Sequence, residues 1–509
     1  MAQRGVIVLR RSWRWLIALL ALFALVAAAC GDDGDDGTTG QEGGEEDGGE
    51  NTASDTGVTA DTIKVAIVGA DLAGLVAAGV IRGVPGDAAA INALRISHYL
   101  DKWNDEGGIN GRMFEYETIT WDPADPTSFD RTCNEITLDY QPFMVVNTGG
   151  GYNPDKIPCI TQDGDTFFVG LDPVSKTIFE ASGVNLITMA PPSEVAALGA
   201  VDALSEEGKT LPTSAKIAVL RGDNQFQIDA WDAMEPALED AGYSNLVFTD
   251  PIRVANLSAA DGARNVVLSV EAVRNSGATH VINMLPFTNY IPFPAEAEKA
   301  GLDLQYVSVD IGAGGCLAFT ASQATPQLDG TPCVTSWDNM RIDDKGTVKT
   351  DSAFEAQCRT EYEEAYQGQS FPGWQLTKTN PGVPWPGLSD AGGKRLDADQ
   401  SYFECTLMHV LKPALEAAGS DLTHESLAEA LYAMDSFDIA ASSDGEGSLA
   451  ENKPFIASSM QFVTLSYHGF ADPVDAKGLY GGLCLSPLSC WRTSSTEGWT
   501  PIEATLDDI

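Results

Sequence analysis

The chain has 509 residues, of which 44% are hydrophobic, and a formal net charge of −43 at pH 7. Such an excess of acidic groups argues against binding nucleic acid or an anionic membrane surface through charge. The length is large for a single hydrophobic core and predicts two lobes.

The first 30 residues have the pattern of an export signal. Four arginines precede an apolar run at residues 15–26, and the small residues 27–29 follow it. The apolar run is shorter than the roughly 20 residues that cross a bilayer as a helix, which disfavours a permanent transmembrane anchor. Small residues followed by Cys30 resemble the lipobox of bacterial lipoproteins, so we predict lipidation of Cys30. The alternative is an ordinary signal peptide that signal peptidase cleaves after Ala29, which would leave Cys30 without a lipid.

An acidic, glycine-rich stretch follows the export signal. Residues 31–55 carry small, polar and acidic side chains that cannot bury a core. We therefore predict that residues 31–60 form a disordered stalk, which would hold the folded part some tens of Å from the membrane.

The cysteine count indicates disulfides. Nine cysteines become eight once Cys30 is assigned to the lipid, and an even number in an exported chain favours pairing. Proximity along the chain suggests four pairs: Cys133–Cys159, Cys316–Cys333, Cys358–Cys405 and Cys484–Cys490. The chain has no C-x-x-C motif and its five histidines are scattered, so we predict neither a metal site nor a cofactor.

Strand-like apolar runs alternate with helical stretches from residue 62 onward. The predicted strands are residues 63–68, 114–120, 143–147, 167–170 and 184–188. The clearest helix covers residues 88–105, where Ala93, Ile96, Leu100 and Trp103 share one face at helical spacing. This alternation indicates right-handed crossovers and a mainly parallel sheet with helices on both faces.

The alternation restarts after residue 204 and predicts a second doubly wound lobe. Its predicted strands are residues 216–221, 245–251, 280–285 and 305–309, and its predicted helices are residues 225–241, 259–276 and 294–301. Further elements are strands at residues 333–337 and 460–467, and helices at residues 352–367, 399–418 and 423–434. Residues 368–394, rich in Pro, Gly and Trp, are predicted to be an irregular insertion.

Several stretches carry a family resemblance. They are I-K-V-A-I-V-G at residues 63–69, W-N-D-E followed by G-G-I-N-G-R at residues 103–112, K-I-A-V-L at residues 216–220, and A-T-H-V-I at residues 278–282. Over residues 62–310 the chain resembles the type I periplasmic binding proteins, and most of all the branched-chain amino acid (Leu/Ile/Val)-binding receptors of bacterial ABC importers.

The resemblance implies an α/β fold of two doubly wound, Rossmann-like lobes, whose mainly parallel sheets are joined by hinge crossovers. We predict that residues 61–195 and 316–509 form lobe 1, with the insertion and a C-terminal tail, and that residues 196–315 form lobe 2. In open α/β sheets ligands bind at the carboxyl ends of the strands, which predicts a ligand site in the crevice between the lobes.

Loops that leave the predicted strands of lobe 1 supply the first candidate site residues. They hold Asp71, the segment from Thr148 through Gly149 and Gly150 to Tyr152, and Ser193. The glycines would let a ligand approach backbone N–H groups, although a tight surface turn is the alternative. In the receptors that this chain resembles, the matching loops offer hydroxyl and N–H groups to a substrate carboxylate. The resemblance implies this role for Thr148, Tyr152 and Ser193.

The resemblance implies three further site residues in lobe 2. In the family, aromatic side chains at the positions of Phe226 and Phe287 face the ligand, and an acidic residue at the position of Asp310 holds its ammonium group. A carboxylate that contacts a cation is a strong, charge-assisted anchor. Packing in the core is the alternative role for the two aromatic residues.

These features together predict a protein that is lipid-anchored outside the cytoplasmic membrane. We expect it to capture a small polar molecule, such as an amino acid or amide, by hinge closure and to deliver it to an ABC importer. The expected partners are this solute, the permease subunits, and the bilayer through Cys30, with the receptor itself a monomer.

Two other functions stay open. A sensor of the same fold that signals to a membrane partner would need the same ligand-dependent closure. An exported enzyme has less support, because the chain has no G-x-S-x-G, H-E-x-x-H or Walker A motif.

Overall fold

The structure of the protein is a computed structural model. It describes residues 51–77, 88–148, 151–207, 211–290, 292–311, 325–336, 352–365, 402–440, 445–467, 489–493 and 499–509. Several predicted features lie outside the described residues: the export signal with Cys30, the stalk as far as residue 50, Gly149, Gly150, Cys316, Cys484 and the insertion at residues 368–394.

Five parallel strands form the sheet of lobe 1, in the order β2-β1-β3-β4-β5. They are β1 (Thr62–Ala70), β2 (Met113–Trp121), β3 (Met144–Thr148), β4 (Phe167–Gly170) and β5 (Leu186–Thr188). Successive side chains point to opposite faces of a strand. On β1, Ile63 and Ile67 therefore enter one apolar cluster while Ala66 and Val68 enter another, and both faces of the sheet are buried.

Helices cover both faces of this sheet. They are α1 (Ala73–Ala77), α2 (Ala88–Asp105), α3 (Ser128–Asn134) and α4 (Lys176–Ser182), with short π-helical and 3₁₀ turns at Glu135–Tyr140, Pro154–Lys156 and Cys159–Asp163. Helix α2 has the predicted bounds, and its predicted apolar face, which includes Ile96 and Leu100, is buried against the sheet.

The second sheet has the order β14-β13-β10-β9-β8-β6-β7, with β15 paired to β13. Its strands are β6 (Ile217–Leu220), β7 (Leu246–Phe248), β8 (His280–Asn283), β9 (Gln305–Val309), β10 (Pro332–Thr335), β13 (Ser459–Tyr467), β14 (Ser489–Thr493) and β15 (Thr500–Pro501). Strands β6 to β10 pair in parallel, and β13 runs antiparallel to β10. This sheet defines lobe 2.

Lobe 2 also buries both faces of its sheet. Its helices are α5 (Ser193–Glu207), α6 (Gln225–Asp240), α7 (Ala259–Ser276), α8 (Phe287–Tyr290) and α9 (Pro292–Lys299). Helices α5 and α6 pack on one face and α7 and α9 on the other. The predicted fold class, two doubly wound lobes with mainly parallel sheets, is confirmed.

Three later helices return to lobe 1. They are α10 (Ala353–Ala365), α11 (Tyr402–Ala418) and α12 (His424–Tyr432), and a small hairpin follows, β11 (Phe437–Asp438) with β12 (Glu446–Gly447). Their buried side chains, such as Tyr362, Leu411 and Leu427, join the same apolar cluster as α2.

The predicted division at residue 316 requires a correction. Strands β10 and β13 pair with lobe 2, although both were assigned to lobe 1. An alternating pattern identifies a strand and its buried face, but hydrogen bonding to a neighbour distant in sequence decides which sheet it joins.

The predicted stalk ends earlier than residue 60. Ser54 donates to the carbonyl of Leu422 at 2.5 Å, and Arg112 Nη2 donates to the carbonyl of Thr52 at 3.1 Å. Val58 is buried in the lobe 1 core. The segment 51–60 is therefore part of the folded lobe, because Ser54 and the backbone of Thr52 are hydrogen-bonded to it and Val58 is buried in its core.

Two of the predicted disulfides form within the described residues, Cys133–Cys159 and Cys358–Cys405. Cys333 is also disulfide-bonded. The second bridge joins α10 to α11, which cross-links the helices that return to lobe 1. Among the described residues, none of the helices has the length and apolar character required to cross a membrane.

Candidate ligand-binding crevice

The parallel strands of each sheet end at one edge, and the chain passes between the lobes close to these edges. Thr188, which ends β5, donates its N–H to the carbonyl of Pro454 at 3.1 Å, and its carbonyl accepts from Ile456 at 2.9 Å. Beyond this pair, one segment leads into α5 and the other into β13 of lobe 2. Two crossover segments thus run side by side as a hydrogen-bonded pair, an arrangement suited to a hinge.

Thr148 lies at the carboxyl end of β3 and takes part in a buried polar cluster. Its hydroxyl donates to Glu404 Oε1 at 2.7 Å, and Arg95 Nη1 lies 3.6 Å from Glu404 Oε2. All three residues are at most 2% exposed. Burial of a charge is costly unless it is paired, so this cluster fixes the first turns of α11 against α2 and the end of β3.

Tyr152 lies in an aromatic cluster below the crevice edge. Its ring meets Trp121 and Phe129 edge-on, at centroid distances of 6.2 and 5.2 Å. The side chain is 1% exposed, and its hydroxyl has no hydrogen-bond partner among the described residues. Gly151, with φ of 82°, lets the chain turn over the Trp121 ring. The structure therefore gives Tyr152 a packing role in the core.

Asp71 and Ser193 follow the ends of β1 and β5. Asp71 is half-buried, and its Oδ1 accepts from the N–H of Ala73 at 3.0 Å, which caps the short helix α1. Ser193 is fully buried, and its hydroxyl donates to Glu194 Oε2 at 3.3 Å. Each predicted polar group is thus engaged locally at the edge of the crevice.

Phe226 forms a direct contact between the lobes. It lies in the first turn of α6 of lobe 2, is 2% exposed, and packs in the apolar cluster of lobe 1 that contains Tyr152. The backbone N–H groups of Gln225 and Phe226 donate to the Asp155 carboxylate of lobe 1 at 2.9 and 3.4 Å. An anion at a helix N-terminus is stabilised by unsatisfied N–H groups and by the helix dipole.

Asp310 and Phe287 lie at the ends of neighbouring strands of lobe 2. Asp310 follows β9, is 7% exposed, and accepts a hydrogen bond from Thr335 Oγ1 at 2.9 Å. Its backbone N–H donates to the carbonyl of Val334 at 3.0 Å. Phe287 begins α8, which follows β8.

Three carboxylates meet near the contact between the lobes: Asp155, Glu194 at the start of α5, and Asp229 on α6. Burial raises the pKa of Asp155 and of Glu194, and the charge of Asp229 adds to both shifts. Asp229 Oδ1 accepts from Gln225, whereas its buried Oδ2 has no hydrogen-bond partner among the described residues. The contact therefore carries mutual repulsion between acidic groups.

The structure brings some of the predicted residues together and separates others. Tyr152 and Phe226 share one apolar cluster across the lobes, whereas Thr148, Ser193 and Asp310 have different polar neighbours. Sequence reasoning missed Asp155, Arg95 and Glu404. Arg95 and Glu404 each lie within the apolar face of a long helix. A charged residue in such a position needs a buried partner, and this was the available signal for both.

Comparisons with known proteins address the fold. No protein-family model matches the sequence, and no curated protein matches it. Among solved structures, the chain is similar to a periplasmic binding protein type 1 from Bordetella pertussis, with a TM-score of 0.56 and 13% identity over 80% of this chain and 98% of that chain.

Two more solved structures are similar over most of their length. A fatty acid ABC transporter substrate-binding protein from Thermomonospora curvata has a TM-score of 0.55 and 14% identity, over 88% of this chain and 94% of that chain. A leucine-binding protein from Thermotoga maritima has a TM-score of 0.54 and 11% identity, over 80% of this chain and 96% of that chain. The chain therefore has the two-lobed fold of the type I periplasmic binding proteins.

Proposed function

We propose that this protein is a non-enzymatic solute-binding receptor outside the cytoplasmic membrane, which captures a small polar molecule between its lobes and delivers it to an ABC importer. The paired crossover segments at Thr188 and Ile456 carry this proposal. They join the two sheets, so we expect a rotation at this pair to open and close the crevice between the lobes.

The contact between Asp155 and the start of α6 supports closure as the signal. It joins the lobes through two hydrogen bonds and the buried ring of Phe226. A ligand shifts such an equilibrium only by its difference in affinity for the closed and open forms. A permease that recognises the closed form would then respond to the occupied receptor.

The proposed ligand class is a small polar molecule such as an amino acid or amide. The solved structures of similar fold include a leucine-binding protein and a fatty acid-binding one, so the fold is compatible with different ligands. Candidate contacts are Asp71, Thr148, Gly149, Gly150, Ser193, Phe226, Phe287 and Asp310, whereas Tyr152 keeps the packing role described above. Asp310 is the leading candidate for a polar contact, since it follows β9 at the carboxyl ends of the parallel strands.

Lipid attachment at Cys30 is the proposed means of retention at the membrane. One acyl chain gives marginal binding, about 0.8 kcal/mol per buried methylene, so stable retention needs the several chains of a bacterial lipoprotein. The acidic residues 31–50 would separate the folded lobes from the bilayer, and a monomer would suffice for delivery to the permease.

A ligand screen tests the proposal. The purified protein is exposed to amino acids, amides, small amines and aromatic acids, and ligands that raise its unfolding temperature are titrated by calorimetry. We expect one small molecule to bind per chain, with affinity about tenfold weaker in Asp310→Asn, in line with the loss of a charged hydrogen bond. The exposed Asp303→Asn is the matched control. Recovery of chemically altered ligand would contradict a non-enzymatic receptor.

A further inference from the structure

His424, the first residue of α12, is buried beside two aspartates. The residue is 4% exposed, and its ring stacks on Phe143 with centroids 4.6 Å apart. Its Nε2 lies 2.9 Å from the carbonyl oxygen of Phe143. Because a carbonyl oxygen accepts hydrogen bonds and cannot donate them, Nε2 carries a proton and Nδ1 is the atom that can hold a lone pair.

Two carboxylates face this Nδ1. Asp55 Oδ2 lies 3.4 Å and Asp165 Oδ1 lies 3.8 Å from it. A lone pair opposite two carboxylate oxygens is repulsive. Asp55 Oδ2 also accepts from the backbone N–H of His424 at 2.9 Å, so this carboxylate is held at the start of α12. Both distances to Nδ1 exceed the roughly 2.7–2.9 Å of a charge-assisted N–H···O bond, and a cation between the three groups would remove the repulsion.

The 3.4 Å between Nδ1 and Asp55 Oδ2 matches the spacing of two ligand atoms on one metal ion, and Asp165 Oδ1, at 3.8 Å, lies slightly farther away. Ligand atoms at about 2.0–2.2 Å from a tetrahedral zinc ion lie about 3.3–3.6 Å apart. The three ligand atoms of Asp55, Asp165 and His424 all lie within 4.8 Å of one another. A second group, formed by Glu361, Cys405 and His409, differs because Cys405 is disulfide-bonded and has no thiolate to offer.

Neighbouring groups hold the ligands as the partners of metal ligands do. Histidine ligands usually donate their other ring N–H to a carbonyl or carboxylate, as His424 does to Phe143. Asp165 Oδ1 accepts from Asn185 Nδ2 at 3.1 Å. Asp55 Oδ1 accepts from the N–H of Thr56 at 2.7 Å.

We propose that Asp55, Asp165 and His424 bind a divalent transition-metal ion of the zinc class, through Nδ1 and one oxygen of each carboxylate, with water at the remaining position. The site lies at the amino ends of β3 and β4, near Phe143 and Phe167, and therefore at the opposite edge of the sheet from the crevice. Its ion fastens the segment that leads from residue 50 to lobe 1. The sequence hid this site, because its ligands are separated by more than 100 residues.

Zinc uptake by the purified protein tests the site. The protein is treated with EDTA, dialysed, and titrated with zinc by calorimetry, and bound metal is counted by native mass spectrometry. Asp165→Asn is the test variant, because the Asp165 side chain is 73% exposed and its replacement leaves the core intact. Asp163→Asn, an exposed neighbour outside the cluster, makes the same change of charge and is the control.

We expect one zinc ion per chain in the parent and in Asp163→Asn, and at least about tenfold weaker binding in Asp165→Asn. Zinc should also slow amide hydrogen exchange in residues 51–60 of the parent and of the control alone. A parent that takes up no zinc, or an Asp165→Asn variant that binds as tightly as the parent, would overturn the site. Zinc binding without slower exchange in residues 51–60 would overturn its anchoring role.

Discussion

The side-chain carboxylate of Asp155 in lobe 1 accepts a 2.9 Å hydrogen bond from the backbone N–H of Gln225, the first residue of α6 in lobe 2. This contact joins the two lobes directly, beside the packing of Phe226 against lobe 1. In the proposed hinge mechanism, a rotation of the lobes would break this contact.

Replacement of Asp155 by alanine should weaken closure. Removal of a side chain that accepts from the first N–H groups of a helix costs about 0.5–2 kcal/mol. Ligand affinity measured by calorimetry should therefore fall, by about tenfold at the middle of that range. Asp155→Asn keeps one acceptor oxygen and should lose less, and the exposed Asp139→Ala is the control. Unchanged affinity in a folded Asp155→Ala protein would remove this contact from the mechanism.

Replacement of Asp229 by asparagine should change how stability depends on pH. Burial raises the pKa of Asp155 and of Glu194, and Asp229 adds to both shifts. The folded protein thus binds these protons more tightly than the unfolded chain does, so its stability declines as the pH rises from the ordinary carboxylate range, near 4, through the raised pKa values.

The Asp229→Asn variant should show a smaller decline and be more stable than the parent at pH 7. Urea unfolding between pH 4 and pH 8 measures both effects. Asp240→Asn, at the far end of the same helix and exposed, should behave as the parent. A steeper decline in Asp229→Asn than in the parent would show that its charge stabilises the contact.

Glu361 should make the protein less stable as the pH falls, whereas Asp155 and Glu194 make it less stable as the pH rises. Burial raises the pKa of Glu361, but hydrogen bonds from His409, Tyr99 and Gln357 outweigh it and lower the pKa to about 2. Stability from these bonds is therefore present above pH 4.3, the ordinary value for glutamate, and is lost as the pH falls from there toward 2.

The Glu361→Gln variant should be less stable than the parent at pH 7 and should lose less stability between pH 4.3 and pH 2. Unfolding by urea at fixed pH values measures this difference, and Glu416→Gln on the exposed side of α11 is the control. An identical acid profile in Glu361→Gln and the parent would show that other carboxylates set the acid limit.

Replacement of Cys30 by serine should release the protein from the membrane. Without the cysteine thiol no lipid can be attached at this position. We expect folded, ligand-competent protein in the soluble extracytoplasmic fraction, measured by fractionation and immunoblotting, with Gly34→Ser retained at the membrane. Membrane retention of Cys30→Ser would contradict the lipid tether.

Local patterns predicted the fold well where one face of an element is buried along its whole length. Helices Ala88–Asp105 and Ala259–Ser276 and strands Phe167–Gly170 and Gln305–Val309 have the predicted bounds. The short strand Leu186–Thr188 is three residues long, shorter than predicted, since its predicted first residues form a 3₁₀ turn. Boundaries depend on a few hydrogen bonds that hydrophobic periodicity does not specify.

The site was harder to predict, because its contacts join residues far apart in the chain. Thr148 was predicted in the loop that leaves a strand and is the last residue of β3, and its partner Glu404 is 256 residues away. Asp155 was missed because its carboxylate accepts from the N-terminus of a helix in the other lobe, and nothing in the local sequence around Asp155 indicates that partner. The family pattern supplied positions for Phe226 and Asp310, and the structure supplied the neighbours that engage them.

Small-angle X-ray scattering with and without saturating ligand tests the central claim most directly. The protein is measured with the best ligand from the screen, at a concentration at least 100 times its Kd. The hinge account predicts a smaller radius of gyration when ligand is bound, and a smaller ligand-induced change in Asp155→Ala. A ligand that binds one per chain and leaves the scattering curve of the parent unchanged would contradict closure of the lobes.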